Sequence, residues 1–225
     1  MTRPDIAPAC SIFGQFSANP GRRHWKGLQL ILRYLSGTIH HGIIYRRGHP
    51  AGDQLTGAVD ANWANTEDGS FRSRGGYVFL LAGGAVSWST RAQLSTALSS
   101  CESEIMAASD ACRTLVWLRR LLHEFRCPQP HATSLLEDNR GCISFNADHK
   151  CEKRTRHIGV RYMYAREVIQ KGEATLTYCR TDLNYADHFT KALGSRKFLA
   201  FRPMYGVVSF DRGVSSNSPL VSLSN

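Results

Sequence analysis

The sequence predicts an α/β fold built on a mixed five-stranded sheet, and three observations carry that prediction. Three strand patterns, LTGAVD from Leu55, GYVFLLA from Gly76 and AVSWS from Ala85, follow one another across turn signals, as an antiparallel meander does. One long helical pattern then runs from about Ser99 to Phe125. Two further short strands, ATSLLE and ATLTYC, are each preceded by helical stretches, the arrangement of parallel crossovers.

Taken in order, Asn19-Pro20 reads as a helix cap followed by proline at the first helical position. Trp25, Leu28, Ile31, Leu32 and Leu35 then repeat at helical spacing until Ser36-Gly37. His40-His41 reads as a polar turn, GIIYRR as a short strand, and Gly48 to Gln54 as a linker by composition. Gly83-Gly84 is the hairpin signal between the second and third meander strands. Cys127-Pro128 and Pro130 end the long helix, and a short helix is expected from about Gly141 to Ala147. A second amphipathic helix carries Ile158, Tyr162, Ala165 and Ile169 and stops at Lys171-Gly172. A last helix opens at Thr181 or Asp182, and beyond Pro203 the chain turns serine-rich and aperiodic, as a loose tail would.

Composition narrows the function classes. Of 225 residues, 42% are hydrophobic, and the mean hydropathy of −0.29 comes with no apolar run long enough to span a bilayer, so no membrane partner is expected. The N-terminus MTRPDIAPAC has no apolar signal core, so an intracellular location, cytoplasmic or nuclear, is expected rather than secretion. Seven widely spaced cysteines without a C-x-x-C pair read as free thiols and argue against structural zinc. A net charge of +10 and a pI near 9.5 favour an anionic polymer as partner. No glycine-rich phosphate loop and no helix-turn-helix signature is present.

The chemistry is concentrated in carboxylates. On the long helix, Cys101, Ile105, Ala108, Cys112, Leu115, Leu118, Leu122 and Phe125 form one apolar stripe. At about 100° per residue, Glu104 projects roughly 30° from its centre and Glu102 roughly 130° away. Glu102 therefore reads as a solvated acid, whereas Glu104 faces inward, where a carboxylate is costly unless paired, protonated or bound to a cation. Asp60 ends the first strand and Asp138 ends the fourth; if those strands lie side by side and parallel, both acids emerge at one edge. Asp187, near the start of the last helix, is the fourth candidate. Taken singly, each acid also fits a cap or a turn. Together they suit Mg²⁺ or Mn²⁺, hard cations that take oxygen ligands, and a pair of such ions supports phosphodiester hydrolysis.

The same residues carry a family likeness. VDANWAN, RSRGGYVFLLAGGAVSWSTRAQLSTALSSCESEIMAA, WLRRLL, LLEDNRGCI, RTRHIGVRY and NYADHFTKAL together resemble the ribonuclease H domain of copia-type LTR retrotransposon Pol polyproteins. The upstream TRPDIAPAC and FSANPGRRHWKGLQLILRYLSGT resemble the end of the reverse transcriptase region of the same polyproteins. The resemblance implies a ribonuclease H-like fold with an N-terminal helical extension. Residues 1–47 would be the reverse transcriptase remnant, 48–54 a linker, 55–202 the ribonuclease H-like domain and 203–225 the tail. It implies endonucleolytic hydrolysis of the RNA strand of RNA:DNA hybrids with two Mg²⁺ on Asp60, Glu104, Asp138 and Asp187. It further implies an RNA:DNA hybrid as partner, and possible association with a reverse transcriptase domain. Nothing in the chain matches that enzyme's catalytic aspartates, so no polymerase activity is expected.

Lys150, Lys153, Arg154, Arg156, His157 and Arg161 are the candidates to track phosphates. Trp63 and Trp88 read as core aromatics, with base stacking as the other use. The chain departs from the family pattern at Asn62 (usually Asp), Cys101 (usually Thr) and His188 (usually apolar). His188 reads as a surface residue, with contact to the product phosphate as its other use. The rival reading is a decayed retroelement fragment that binds nucleic acid without cutting it.

Overall fold

The computed structural model describes residues 2–64, 71–147 and 163–210. Strands β2 (Thr56–Asn62), β3 (Arg74–Leu81) and β4 (Gly84–Ala92) form the expected antiparallel meander. Ala82 and Gly83 make the β3–β4 turn at φ 51° and 80°; two central residues at positive φ match the twist of a tight hairpin. Gly84, half of the expected turn signal, already belongs to β4. Strand β5 (Thr133–Glu137) runs parallel to β2, and β6 (Ala174–Tyr178) parallel to β5, giving the order β4-β3-β2-β5-β6. This is the α/β, ribonuclease H-like architecture that the sequence predicts.

The long helix α3 (Ser100–Glu124) starts where a serine can cap it: Ser99 Oγ accepts from the Glu102 N–H at 3.1 Å. Its stripe of Ile105, Ala108, Cys112 and Leu115 is buried against Val59, Phe79 and Leu135 of the sheet. Each large side chain fully buried there contributes about 2 kcal/mol of hydrophobic stabilisation. Helices α4 (Arg140–Ala147) and α5 (Tyr164–Gln170) pack beside α3 on the same face.

The opposite face of the sheet is covered by a 3₁₀ turn at Tyr185–Phe189, helix α6 (Ser195–Phe201) and residues Arg202–Tyr205. Tyr185, Ala186, Phe189, Phe201, Tyr205 and Val207 close a second core there over Ala58, Val78, Leu80 and Ala85. The last helix thus starts at Ser195 rather than at Thr181 or Asp182. Residues 203–209 are not loose: Val207–Ser209 forms β7, antiparallel to β1 (His41–Ile43), because Tyr205 and Val207 bury apolar surface that the serine-rich composition conceals.

Before the sheet lie α1 (Ala7–Gly14) and α2 (Arg22–Gly37). The cap of α2 is Gly21, whose N–H donates to His24 Nδ1 at 2.9 Å, two residues after the Asn19 expected from sequence. Its packed side also differs from the expected stripe: Trp25, Leu28 and Leu32 are exposed, while Gly27 and Tyr34 face inward. A Cβ at position 27 would lie 2.0 Å from the Phe13 ring, so the missing side chain lets α1 and α2 approach closely. Tyr34 Oη donates to Asp5 Oδ2 at 2.6 Å, and Arg3 also holds Asp5.

Gly76 pairs with Asp60 in the β2–β3 ladder, and a Cβ there would come within 2.8 Å of the Phe189 carbonyl oxygen. The 3₁₀ turn is backbone, so it can yield only by moving away from the sheet. Gly76→Ala is expected to destabilise the protein by about 1–3 kcal/mol in denaturant unfolding, and an unchanged midpoint would show that the turn is not seated by this contact.

Candidate active site

The β2–β5 register sets the site. Ala58 is level with Leu136, so two residues further along two parallel strands Asp60 is level with Asp138. Both acids therefore emerge at the carboxyl ends of adjacent parallel strands, the edge where open α/β sheets form crevices. Alternation puts Asp60 on the face of Ala58, toward the 3₁₀ turn, whereas Glu104 arrives from α3 on the other face. They meet around the rim of the sheet: one carboxylate oxygen from each of Asp60, Glu104 and Asp138 lies within 4.8 Å of the others.

Burial and mutual repulsion govern the electrostatics. Asp60 is pushed up to about 6, mainly by burial, with Asp187 and Asp138 adding to the rise and Lys191 opposing it. Glu104 is held well above the ordinary carboxylate range by burial, then by Glu137, Asp60 and Asp138. Thr190 Oγ1 donates to Asp60 Oδ2, and the Ala61 backbone N–H favours the charged form of Glu104. Glu104 Oε2 has no hydrogen-bond partner among the described residues. Three crowded acids with an orphaned, buried oxygen suit a hard divalent cation, which removes the repulsion and fills the missing contact.

Asp187 is fully buried on the 3₁₀ turn and falls outside that three-acid group. Asn184 seats the turn, its Oδ1 accepting from the Ala186 N–H at 3.1 Å and its Nδ2 donating to the Val59 carbonyl at 2.9 Å. Both Asp187 oxygens carry ammonium groups, Lys191 Nζ on Oδ1 at 2.5 Å and Lys197 Nζ on Oδ2.

Other residues singled out in the sequence take different places. Glu102 is buried, and its Oε2 accepts from the Leu98 N–H at 2.7 Å. The Leu98 backbone N–H reaches an acid that the helical pattern turns outward. His188 is also buried: its Nε2 lies 3.0 Å from the Asp5 carbonyl oxygen and its ring stacks on Tyr205. Burial pushes it down to about 4, and it faces neither the surface nor the acids. Trp63 is half-exposed with Nε1 donating to the Ala97 carbonyl, while Trp88 packs on the second core. Lys150, Lys153, Arg154, Arg156, His157 and Arg161 lie outside the described residues.

Sequence reading missed Glu137, Thr190, Lys191 and Lys197. Glu137 is fully buried, its Oε1 accepting from the Asn139 N–H at 2.9 Å, and it stands next to the cluster. Its signal was the alternation Thr133, Leu135, Glu137, which puts an acid on the inward side of β5. Thr190 and Lys191 lie three and four residues after Asp187, close enough for one turn to return them to it.

No protein-family model matches the chain. It is 34% identical over 208 residues to the retrovirus-related Pol polyprotein from transposon TNT 1-94 of Nicotiana tabacum, covering 92% of this chain and 15% of that protein. It is 31% identical over 208 residues to the retrovirus-related Pol polyprotein from transposon RE2 of Arabidopsis thaliana, covering 92% and 14%. A stretch of 118 residues is 44% identical to the secreted RxLR effector protein 161 of Plasmopara viticola, covering 52% of this chain and 81% of that protein. The chain thus spans about 15% of the length of the plant polyproteins it matches. Among solved structures, the N-terminal ribonuclease H domain of Rv2228c from Mycobacterium tuberculosis superposes with a TM-score of 0.45 at 12% identity, over 67% of this chain and 96% of that one.

Glu137 supplies a pH test. Burial, then Asp138 and Asp60, raise it to about 8 from the ordinary 4.5, so in the cation-free protein its contribution to stability is complete below about pH 4.5 and is lost as pH rises through 8. Glu137→Gln keeps the acceptor for Asn139 and removes that loss. The cation-free variant is expected to be more stable than the parent at pH 9, by on the order of 1–3 kcal/mol, and equal to it at pH 4. Thermal unfolding at both values checks this, and an equal gain at pH 4 would contradict it.

Proposed function

The chain is a homologue of one segment of the retrovirus-related Pol polyproteins of plant transposons, and from that premise we propose that it is the ribonuclease H module of such a polyprotein, hydrolysing the RNA strand of RNA:DNA hybrids during reverse transcription. The observation that carries this reading is the meeting of Asp60, Glu104 and Asp138 at the carboxyl ends of β2 and β5.

In this reading Asp60, Glu104 and Asp138 would hold one Mg²⁺, or Mn²⁺ in its place, and Asp60 with Asp187 would hold a second. Bound there, the cations supply charge neutralisation at the scissile phosphate and an activated water. Asp60, fixed by Thr190, would be the acid that serves both positions. Glu104 and Asp138 would orient the attacking water. Glu104 is suited to this because its Oε2 is uncommitted while the helix behind it is anchored by the α3 core. Preference for RNA rests on 2′-hydroxyl contacts beside the acids. Lys150, Lys153, Arg154, Arg156, His157 and Arg161 track the backbone of the hybrid, and a reverse transcriptase domain is the natural neighbour in a polyprotein.

Asp60→Asn and Glu104→Gln each remove a cation ligand while lowering repulsion, so both variants should fold. Each is expected to lose Mg²⁺-dependent cleavage of a labelled RNA:DNA hybrid by about 10³-fold or more. Retained cleavage in either purified variant would overturn these roles. If the parent chain binds the hybrid but does not cut it in Mg²⁺ or Mn²⁺, the non-catalytic fragment is the better description.

Hybrid affinity is expected to fall steeply with salt. Replacing Arg154 and Arg156 by alanine should reduce the slope of log affinity against log salt by about 2. An unchanged slope would exclude this segment from the interface.

A further inference from the structure

The two sides of Asp60 are built differently. Toward α3 stands Glu104, 5% exposed, whose Oε2 has no hydrogen-bond partner among the described residues. Toward the 3₁₀ turn stands Asp187, which faces ammonium groups from two separate elements: Lys197 Nζ donates to Oδ2, and Lys191 Nζ lies 2.5 Å from Oδ1 as an ion pair without hydrogen-bond geometry. Lys191 is held by the turn itself, its backbone N–H donating to the Asp187 carbonyl at 3.1 Å while its Nζ reaches Oδ1. Lys197 comes from α6, with its Nζ 3.4 Å from the Thr181 carbonyl oxygen and 5.0 Å from the Phe201 ring. Lys191 also feels Asp60 and Asp138 as attracting charges, so its ammonium lies in the field of the acid cluster rather than pointing away from it.

We propose that Lys191 is a resident monocation of this site: it occupies the Asp187 side, so the protein takes one divalent cation tightly on Asp60, Glu104 and Asp138 and a second only by displacing ammonium from Asp187. This rests on the nuclease reading above and assigns the two cation positions unequal affinity. An ammonium on a carboxylate must be moved and rehydrated before a divalent ion can ligate the same oxygen, and while it stays it repels that ion across a few ångströms of protein. Among the described residues, no ammonium is paired with Glu104. Lys191 is thus a positioning residue that acts through Asp187, and Lys197 reinforces it on the other oxygen.

The test is a Mn²⁺ titration of the full chain by calorimetry, with free Mn²⁺ followed by electron paramagnetic resonance, on the parent, Lys191→Met and Lys197→Met. Circular dichroism establishes that each protein is folded. The parent is expected to bind one Mn²⁺ tightly and a second more weakly. Lys191→Met should strengthen the second step by about tenfold or more and the first by a smaller factor, since Lys191 also acts on Asp60 and Asp138. Lys197→Met, altered further out on the same carboxylate, should shift the second step in the same direction and serves if Lys191→Met does not fold. Two equal sites in the parent, or a second step unmoved in the folded variants, would overturn this inference alone. A folded parent that binds no Mn²⁺ would remove the nuclease reading as well.

Discussion

Parallel pairing of β2 with β5 is the constraint on which the rest of the structure depends. The register Ala58 to Leu136 puts Asp60 and Asp138 at one level, and a slip of one residue would turn one of them to the opposite face. Once the register is set, Asp60, Glu104, Glu137 and Asp138 are forced together at a strand end where water is scarce. The fold tolerates the crowding by giving individual oxygens specific donors, the Thr190 hydroxyl on Asp60 and the Asn139 backbone N–H on Glu137, with the Lys191 ammonium as a nearby counter-charge to Asp60. The remaining imbalance, seen in the raised Asp60, Glu104 and Glu137, is what a divalent cation would relieve.

The second layer places the fourth acid, and it does so partly through residues far away in the chain. Asn184 ties the 3₁₀ turn to β2, while Gly76 lets the turn lie directly on the sheet. The N-terminal segment closes the turn from outside: the buried His188 ring contacts the Asp5 backbone, and Asp5 is in turn held by Arg3 and Tyr34. The segment that resembles the end of a reverse transcriptase region therefore bears on the position of Asp187. The same layer brings Lys197 to the acid from α6, so the charge balance at the site and the packing of the second core are coupled.

Much of this was legible in the sequence where periodicity and chemistry pointed the same way. The helix from Ser99 onward combines a serine cap with an apolar stripe, so Glu104 could be turned inward before any coordinates were known. Asp60 and Asp138 could be matched because each marks the end of a strand pattern. Legibility failed where burial is decided by something other than the element's own period. Glu102 points off the stripe of α3 yet is buried, its carboxylate taking the Leu98 N–H, and the apolar ridge of α2 at Trp25, Leu28 and Leu32 stays exposed because Gly27 and Tyr34 make the contact with the N-terminal segment. Tyr205 and Val207 looked like part of a tail because a three-residue strand is too short to show alternation.

By itself the sequence determined the order of elements, the inward acid on the long helix and the two acids at strand ends, since these follow from local period, capping and strand length. Only the tertiary structure decided which groups meet those acids. Glu137, Lys191, Lys197 and His188 take their roles from neighbours brought in by strand register and by a turn seated on the opposite face. A side chain's charge and burial depend on everything within a few ångströms, and that neighbourhood is drawn from positions more than a hundred residues apart, as when Thr190 bonds Asp60.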